Sequence, residues 1–271
     1  MDRYAVFGHP VKHSKSPQIH AAFAAQTGQA MSYEAIEAPL DGFADTLRAF
    51  AAAGGRGGNV TVPFKEEAFH LADRCDDLAA QARAVNTLRV EPDGRLAGFN
   101  TDGVGLLRDL TQNLRVALRT RRVLLIGAGG AAAGLVGPLL DAGVAELVIA
   151  NRTAPRANAL AARFVGRGPI RVAPLSAPGA GFDLVLNATA AGLDGQAPAV
   201  PPSVFRRGAA AYDLVYGPAA QAFLSLARRA GVADCHDGLG MLVEQAAEAF
   251  WLWRGVRPAT QPVIAALRGG V

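Results

Sequence analysis

A chain of 271 residues, 51% hydrophobic and 18% charged, lies far from the compositions that stay disordered and is long enough for two domains, each with its own core. Its formal charge of +4 comes without any Lys- or Arg-rich block interleaved with aromatics, which argues against a nucleic-acid partner and fits small anionic ligands. Cys75 and Cys235 fit no metal or redox spacing, and MDRYAVFG holds too brief an apolar run for a secretory signal, so a cytoplasmic protein is expected.

Residues 4–58 alternate β-rich runs, YAVFG and SYEAIEA (32–38), with helical stretches after Pro17 and around 42–53. GGNVTVPF (57–64) predicts a third strand, helices follow near 65–73 and 76–83, and VNTLRVEPDGRLAGFN predicts a hairpin turning at Pro92-Asp93-Gly94. After Asp102, GVGLLRDLTQNL predicts a helix leading to Arg121-Arg122 and the strand VLLIG. AELVIAN, FDLVLNAT and AAYDLVY then continue a parallel series separated by helices. From Asp237 on, DGLGMLVEQAAEAFWLW and PVIAALRG read as closing helices that return to the first domain, with no further strand.

The expected class is therefore α/β with two domains: an N-terminal α/β substrate domain (1–101 plus 237–271) and a Rossmann-type dinucleotide-binding domain (102–236). The uncharged stretch 123–140 has the length of a membrane span, but five glycines and Pro138 interrupt it and its β-rich half does not share the period of its helical half. No membrane partner is expected.

Gly127, Ala128, Gly129, Gly130 and Ala131 follow the strand VLLIG and open a helix, the context a dinucleotide fingerprint requires. Glycine there lets the backbone turn tightly and approach a pyrophosphate, which sits on the free N–H groups of the helix start. At the end of the next strand an NAD protein usually places Asp or Glu; here stands Asn151, followed by Arg152, Thr153 and Arg156 with no acid nearby. Two arginines at a helix N-terminus oppose the dipole unless an anion joins them, and a 2′-phosphate supplies one, so NADP (NADPH) is the expected cofactor. Solvated surface arginines are the alternative.

Of the 27 basic residues only Lys12, Lys15 and Lys65 are lysines, so a position that stays Lys suggests a need for a compact, titratable ammonium. Lys65 ends NVTVPFK, where the first sheet presents its strand ends, and Asp102 lies in NTDG at the domain junction. Together an amine and a carboxylate can move a proton and orient a hydroxyl. Taken singly, Lys65 is as readily a surface charge and Asp102 a helix cap.

GHPVKHSKSPQIH, NVTVPFK, AVNTL, NTDG, GAGGA, NRT, NAT and DGLGMLVEQAA, in this order and spacing, resemble the shikimate dehydrogenase family (shikimate/quinate dehydrogenases) over essentially the whole chain. The resemblance implies NADPH-dependent, reversible reduction of 3-dehydroshikimate to shikimate in aromatic amino acid biosynthesis, by a monomer or homodimer. It implies Lys65 and Asp102 as the catalytic pair, Asn86 and Gln245 on substrate hydroxyls with Thr61 nearby, and Ser14 and Ser16 on the carboxylate with Tyr216 close to it. Two hydroxyls beside a helix start primed by Pro17, in the field of Lys15, suit a carboxylate, although Ser16 alone would also serve as an N-cap.

On the nucleotide side it implies Thr189, Leu214, Gly238 and Met241 beside the nicotinamide; Met241 as core filler is the competing reading. His9, Ala21, Phe99 and Ala190-Ala191 depart from the family pattern without touching the catalytic pair. His9 and His13 lack a regular helix, because of Pro10, and a third ligand, so no metal is expected. The alternatives are an NAD-dependent quinate paralogue, a non-catalytic sensor of dinucleotide and cyclic acid, and another two-domain dehydrogenase such as one acting on folates.

Overall fold

A computed structural model describes residues 1–269, the side chain of Leu193 excepted. The chain divides into two compact units, 1–105 with the chain from Leu242 onward, and Leu106–Met241. These divisions fall a few residues beyond the junctions expected after 101 and 236.

In the first unit, β1 (Asp2–Gly8), α1 (Ser16–Thr27), β2 (Met31–Glu37), α2 (Phe43–Ala52), β3 (Gly55–Val60), α3 (Lys65–Leu71), β4 (Arg74–Cys75), α4 (Asp77–Ala82), β5 (Thr87–Val90) and β6 (Leu96–Phe99) lead to α5 (Asp102–Arg108). The sheet order is β2-β1-β3-β5-β6-β4, parallel at β1 with both neighbours and antiparallel through the β5–β6 hairpin. Parallel strands need cover on both faces, and β1 is buried from Tyr4 to Gly8. One cluster joins Phe7 and Val60 to Phe43, Phe50 and Phe64, with Phe7 edge-on to Phe50 at 5.4 Å and Phe43 stacked on Phe64 at 4.7 Å.

The third strand ends at Val60 rather than at Phe64. Pro63 has no N–H for a ladder, and Thr61 to Phe64 close a turn in which Phe64 N donates to Thr61 O at 3.0 Å. The short strand β4 was not foreseen.

The second unit runs through β7 (Arg122–Ile126), α6 (Gly130–Asp141), β8 (Glu146–Asn151), α7 (Ala154–Ala162), β9 (Ile170–Pro174), β10 (Phe182–Asn187), β11 (Phe205–Asp213), α8 (Gln221–Arg229) and β12 (Asp234–His236). All six strands are parallel in the order β12-β11-β10-β7-β8-β9. That is the doubly wound order of dinucleotide-binding sheets, whose direction of winding switches between β7 and β10. Leu124, Ile126, Val148, Val185 and Ala211 fill its core, the near-continuous apolar strands expected of a sheet covered on both faces. The edge strands β9 and β12 escape sequence reading because they are short and partly exposed.

The helix expected over GVGLLRDLTQNL is α5 followed by a single π-helical turn, Asp109–Asn113. The closing segment forms α9 (Leu239–Arg254) and α10 (Gln261–Gly269). From Leu242 on α9 belongs to the first unit, where Trp253 Nε1 donates to Leu88 O at 3.0 Å. Among the described residues no helix is long and apolar enough to cross a membrane.

Candidate active site

Lys65 opens α3 directly after the turn that ends β3, and Asp102 opens α5 directly after β6. Asp102 belongs to the first unit, not to the second domain as its place near the junction suggested. Its amide donates to Asn100 Oδ1 at 3.2 Å, and Thr101 N donates to Asn86 Oδ1 at 2.8 Å, which ties residues 100–102 to the first sheet. Lys65 Nζ lies 2.5 Å from Asp102 Oδ2, with the two side chains 13% and 7% exposed. A pair this enclosed is held against solvent, and each member compensates the other's desolvation.

Asn86 organises what surrounds the pair. Its Nδ2 donates to Asp102 Oδ1 at 2.8 Å, to Thr101 Oγ1 at 2.9 Å and to Gln245 Oε1 at 3.3 Å. Its Oδ1 accepts from Thr87 Oγ1 at 3.0 Å. Gln245 Nε2 donates to Leu242 O at 2.8 Å, which fixes the amide on its own helix. The α9 backbone can come this close because residue 105 is glycine: a Cβ there would stand 2.7 Å from Gln245 N. Lys65, Asp102, Asn86 and Gln245 are thus brought into one polar cluster.

A second polar chain was missed by the sequence reading. Tyr33 Oη donates to Asn59 Oδ1 at 2.7 Å, and Asn59 Nδ2 donates to Thr87 Oγ1 at 3.0 Å and Asn86 O at 3.2 Å. Burial raises the Tyr33 pKa well above that of a free phenol, while a bond to the Ser16 side chain pulls it back. A continuous path of polar groups therefore runs from Tyr33 to Asp102. The signal was present in NVT, where alternation along β3 puts Asn59 and Thr61 on one face.

Ser16 begins α1 but does not cap it; Lys15 occupies that position and makes no side-chain cap bond. Ser14 Oγ accepts from Ser16 N at 3.2 Å, so its own hydrogen remains to donate elsewhere. Thr61 is anchored by Thr61 N to Phe7 O at 2.9 Å and packs against Gly8, where an added Cβ would meet Thr61 Cγ2 at 2.5 Å. Tyr216 lies in the second unit, just before the 3-10 turn Gly217–Ala220.

In the second unit Gly127 follows β7 with φ +115°, a conformation that favours glycine, and a Cβ there would come within 3.0 Å of Ala188 O. Ala128 leads to Gly129, the N-cap of α6, where a Cβ would meet open space, and Gly130 and Ala131 begin the helix. Its first N–H groups have no intrahelical partner and face an approachable turn.

Asn151 ends β8 and bonds through Nδ2 to Thr153 O at 2.9 Å; Thr153 is the N-cap of α7 without a side-chain cap bond. Arg152 and Arg156 are exposed and join no ion pair among the described residues. A glycine turn on a helix start with two unpaired guanidinium groups beyond the next strand fits a dinucleotide carrying an extra phosphate.

Thr189, Leu214, Gly238 and Met241 all belong to this unit. Thr189 N and Oγ1 donate to Asn187 Oδ1 at 3.2 and 2.7 Å, Leu214 N to Asn187 O at 2.9 Å, Gly238 N to Val215 O at 2.9 Å, and Met241 N to Tyr212 Oη at 3.3 Å. Asn187 and Asp213, which tie these segments together, were not singled out from the sequence. Among the described residues no cluster of three or more His, Cys, Asp or Glu could hold a metal ion.

A doubly wound sheet with a glycine turn at its switch point, in one chain with a unit that holds a lysine–aspartate pair among amides and hydroxyls, defines a two-unit α/β dinucleotide-dependent oxidoreductase. Residues 6–88 match the shikimate dehydrogenase substrate binding domain, 109–194 the shikimate / quinate 5-dehydrogenase domain, and 238–268 the shikimate 5'-dehydrogenase C-terminal domain. The chain belongs to the shikimate dehydrogenase family.

It is 56% identical over 99% of its length to the shikimate dehydrogenase (NADP(+)) of Thioalkalivibrio sulfidiphilus, 98% of which is covered. Among solved structures it resembles an Ael1 enzyme from Pseudomonas putida (TM-score 0.91, 50% identity, 98% of each chain). It also resembles shikimate 5-dehydrogenase from Thermus thermophilus in complex with NADP(H) and shikimate (TM-score 0.88, 37% identity, all of both chains).

Proposed function

We propose that this chain catalyses the NADP-dependent, reversible reduction of 3-dehydroshikimate to shikimate, a step of aromatic amino acid biosynthesis. The observation that carries the reading is the 2.5 Å Lys65–Asp102 pair, secluded and braced by Asn86, in a chain whose second unit has the glycine turn and free arginines of an NADP site. When bound, the dinucleotide supplies or accepts the hydride.

The protein's own part is the proton. In reduction, Lys65 Nζ gives a proton to the carbonyl oxygen as negative charge develops there, and solvent restores it; in oxidation Nζ takes the proton from the hydroxyl. Asp102 Oδ2 holds the ammonium in place, while Asn86 on Oδ1 keeps the carboxylate from turning. Asn86, Gln245 and Thr61 take substrate hydroxyls, Ser14 and Ser16 take the carboxylate, and Tyr216 is assigned to substrate binding by the family likeness alone. Gly127 to Ala131 receive the pyrophosphate, Asn151, Arg152, Thr153 and Arg156 the 2′-phosphate, and Thr189, Leu214, Gly238 and Met241 the nicotinamide side. The setting this implies is a cytoplasmic monomer or homodimer.

The test is the appearance of NADPH absorbance with shikimate and NADP, alongside quinate and NAD in all four combinations. The proposal expects shikimate with NADP to be fastest. Quinate with NAD fastest would indicate a quinate paralogue, and no turnover with any pair would indicate a binding protein.

A further inference from the structure

Two fully buried polar side chains at the ends of adjacent strands have no part in the mechanism above. Asn187 ends β10 and Asp213 ends β11, on the two strands that follow the switch point. Asp213 Oδ2 accepts from Asn187 Nδ2 at 2.9 Å, and Oδ1 accepts from Val215 N at 3.0 Å. Asn187 Oδ1 in turn accepts from Thr189 N and Thr189 Oγ1. An apolar residue would fill this volume without desolvating a carboxylate, so the acid needs another reason to be there. Its chemistry supplies one. An ionised carboxylate only accepts, so the amide beside it must present its N–H₂; the carbonyl end of Asn187 is then forced toward Thr189, which only donates to it.

We propose that Asp213 is a positioning residue that sets the orientation of the Asn187 amide and thereby holds Thr189 beside the glycine turn that receives the dinucleotide. The neighbourhood agrees: a Cβ on Gly127 would meet Ala188 O at 3.0 Å and Thr189 Cγ2 at 3.4 Å, so a small displacement of 188–189 reaches the turn itself. The same carboxylate holds Val215 and so anchors both segments after β10 and β11. This inference rests on the reading of the unit as an NADP site and goes beyond it in assigning the device that shapes its nicotinamide side.

Asp213→Asn removes the constraint, since its new amide can accept or donate and lets the Asn187 amide turn over and set N–H against N–H at Thr189. Exchanging the two residues, Asp213→Asn with Asn187→Asp, keeps every one of the four hydrogen bonds and the net charge. The experiment measures dissociation constants by calorimetry for NADPH and for adenosine 2′,5′-bisphosphate, which carries only the adenosine half, together with thermal unfolding.

For Asp213→Asn the expected result is about tenfold weaker NADPH binding, as for one lost buried hydrogen-bonding arrangement, with the bisphosphate changed less than about twofold. The exchanged pair should return NADPH affinity to within about threefold of wild type, on the same scale. If the single variant does not fold, the exchanged pair decides alone, by whether it binds NADPH near the wild-type level. Equal weakening of both ligands, no weakening of either, or an exchanged pair that folds and binds no better than the single variant would overturn the proposal. A wild-type chain that binds neither ligand would overturn the NADP reading and this role with it. One that binds NADPH but does not oxidise shikimate would overturn only the proposed reaction.

Discussion

An imidazole with no exposed surface is a choice of protonation state. His20 stacks on Tyr33 with ring centroids 4.2 Å apart and lies 5.3 Å from Trp253 and 6.2 Å from Phe250. Burial pushes its pKa down to about 3, so it stays neutral in the folded protein. The unfolded chain takes up that proton near pH 6.5, so stability is lost as pH falls below about 6.5, by about 2 kcal/mol between pH 7 and pH 5. Urea unfolding at the two pH values should show His20→Phe losing correspondingly less on acidification; an unchanged pH dependence would contradict the buried neutral state. Asp213 acts in the opposite sense. Burial raises it to about 6, so its contribution weakens as pH rises from about 4 to 6 and partly offsets the histidine over that range. Because Tyr33 donates to Asn59, the ring under it sits at the root of the polar chain that ends on Asp102.

One helix, α5 with its π-helical continuation, carries polar contacts at two points, and at each the sequence gives up something regular. In α5, Gly105 lets the α9 backbone approach. Gly105→Ala would drive a Cβ against Gln245 N, main chain that cannot step aside as a flexible side chain would. Overpacking of this kind costs about 1–3 kcal/mol, and it should raise KM for shikimate through displaced Gln245. Unchanged stability and KM would argue that the helices are not held at this point.

Beyond Arg108 the helix widens into the π-helical turn, where Asp109 Oδ2 accepts from Tyr212 Oη at 2.7 Å and Oδ1 accepts from Asn113 Nδ2 at 2.9 Å. Tyr212→Phe strips a donor from a buried carboxylate and an acceptor from Met241 N, and should cost about 1–3 kcal/mol in chemical denaturation. Neither device was readable beforehand. A 3.6 period predicts a helix over GVGLLRDLTQNL, but it does not say that Asp109 turns inward to meet a tyrosine a hundred residues away. For the same reason Lys65, Asp102 and the glycine turn stand out in the sequence by residue type and spacing. Asn59, Asn187 and Asp213 act through partners that only folding brings near, and β9 and β12 are edge strands too short for a period to register.

At the scale of the whole molecule, 24 arginines and 3 lysines against 23 acids leave a modest net charge of +4, and the placement of the charges matters more than their sum. Arg152 and Arg156 follow the strand after the glycine turn, at the position that separates NADP from NAD proteins by the presence of an acid. Replacing both with Ala should weaken NADP about ten- to a hundredfold, as expected for losing charge-assisted hydrogen bonds, flatten its salt dependence and leave NAD unaffected. Equal loss for both cofactors would assign the arginines to general electrostatics.

Everything proposed for catalysis meets in Lys65, whose charge matters most once the substrate oxygen becomes negative. The decisive measurement is therefore kcat and KM for shikimate oxidation by NADP in wild type and Lys65→Ala. The expected result is a kcat lower by about 10²–10⁴ with KM for shikimate little changed. A variant that turns over like wild type, or that loses only affinity, would contradict the assignment of proton transfer to this lysine.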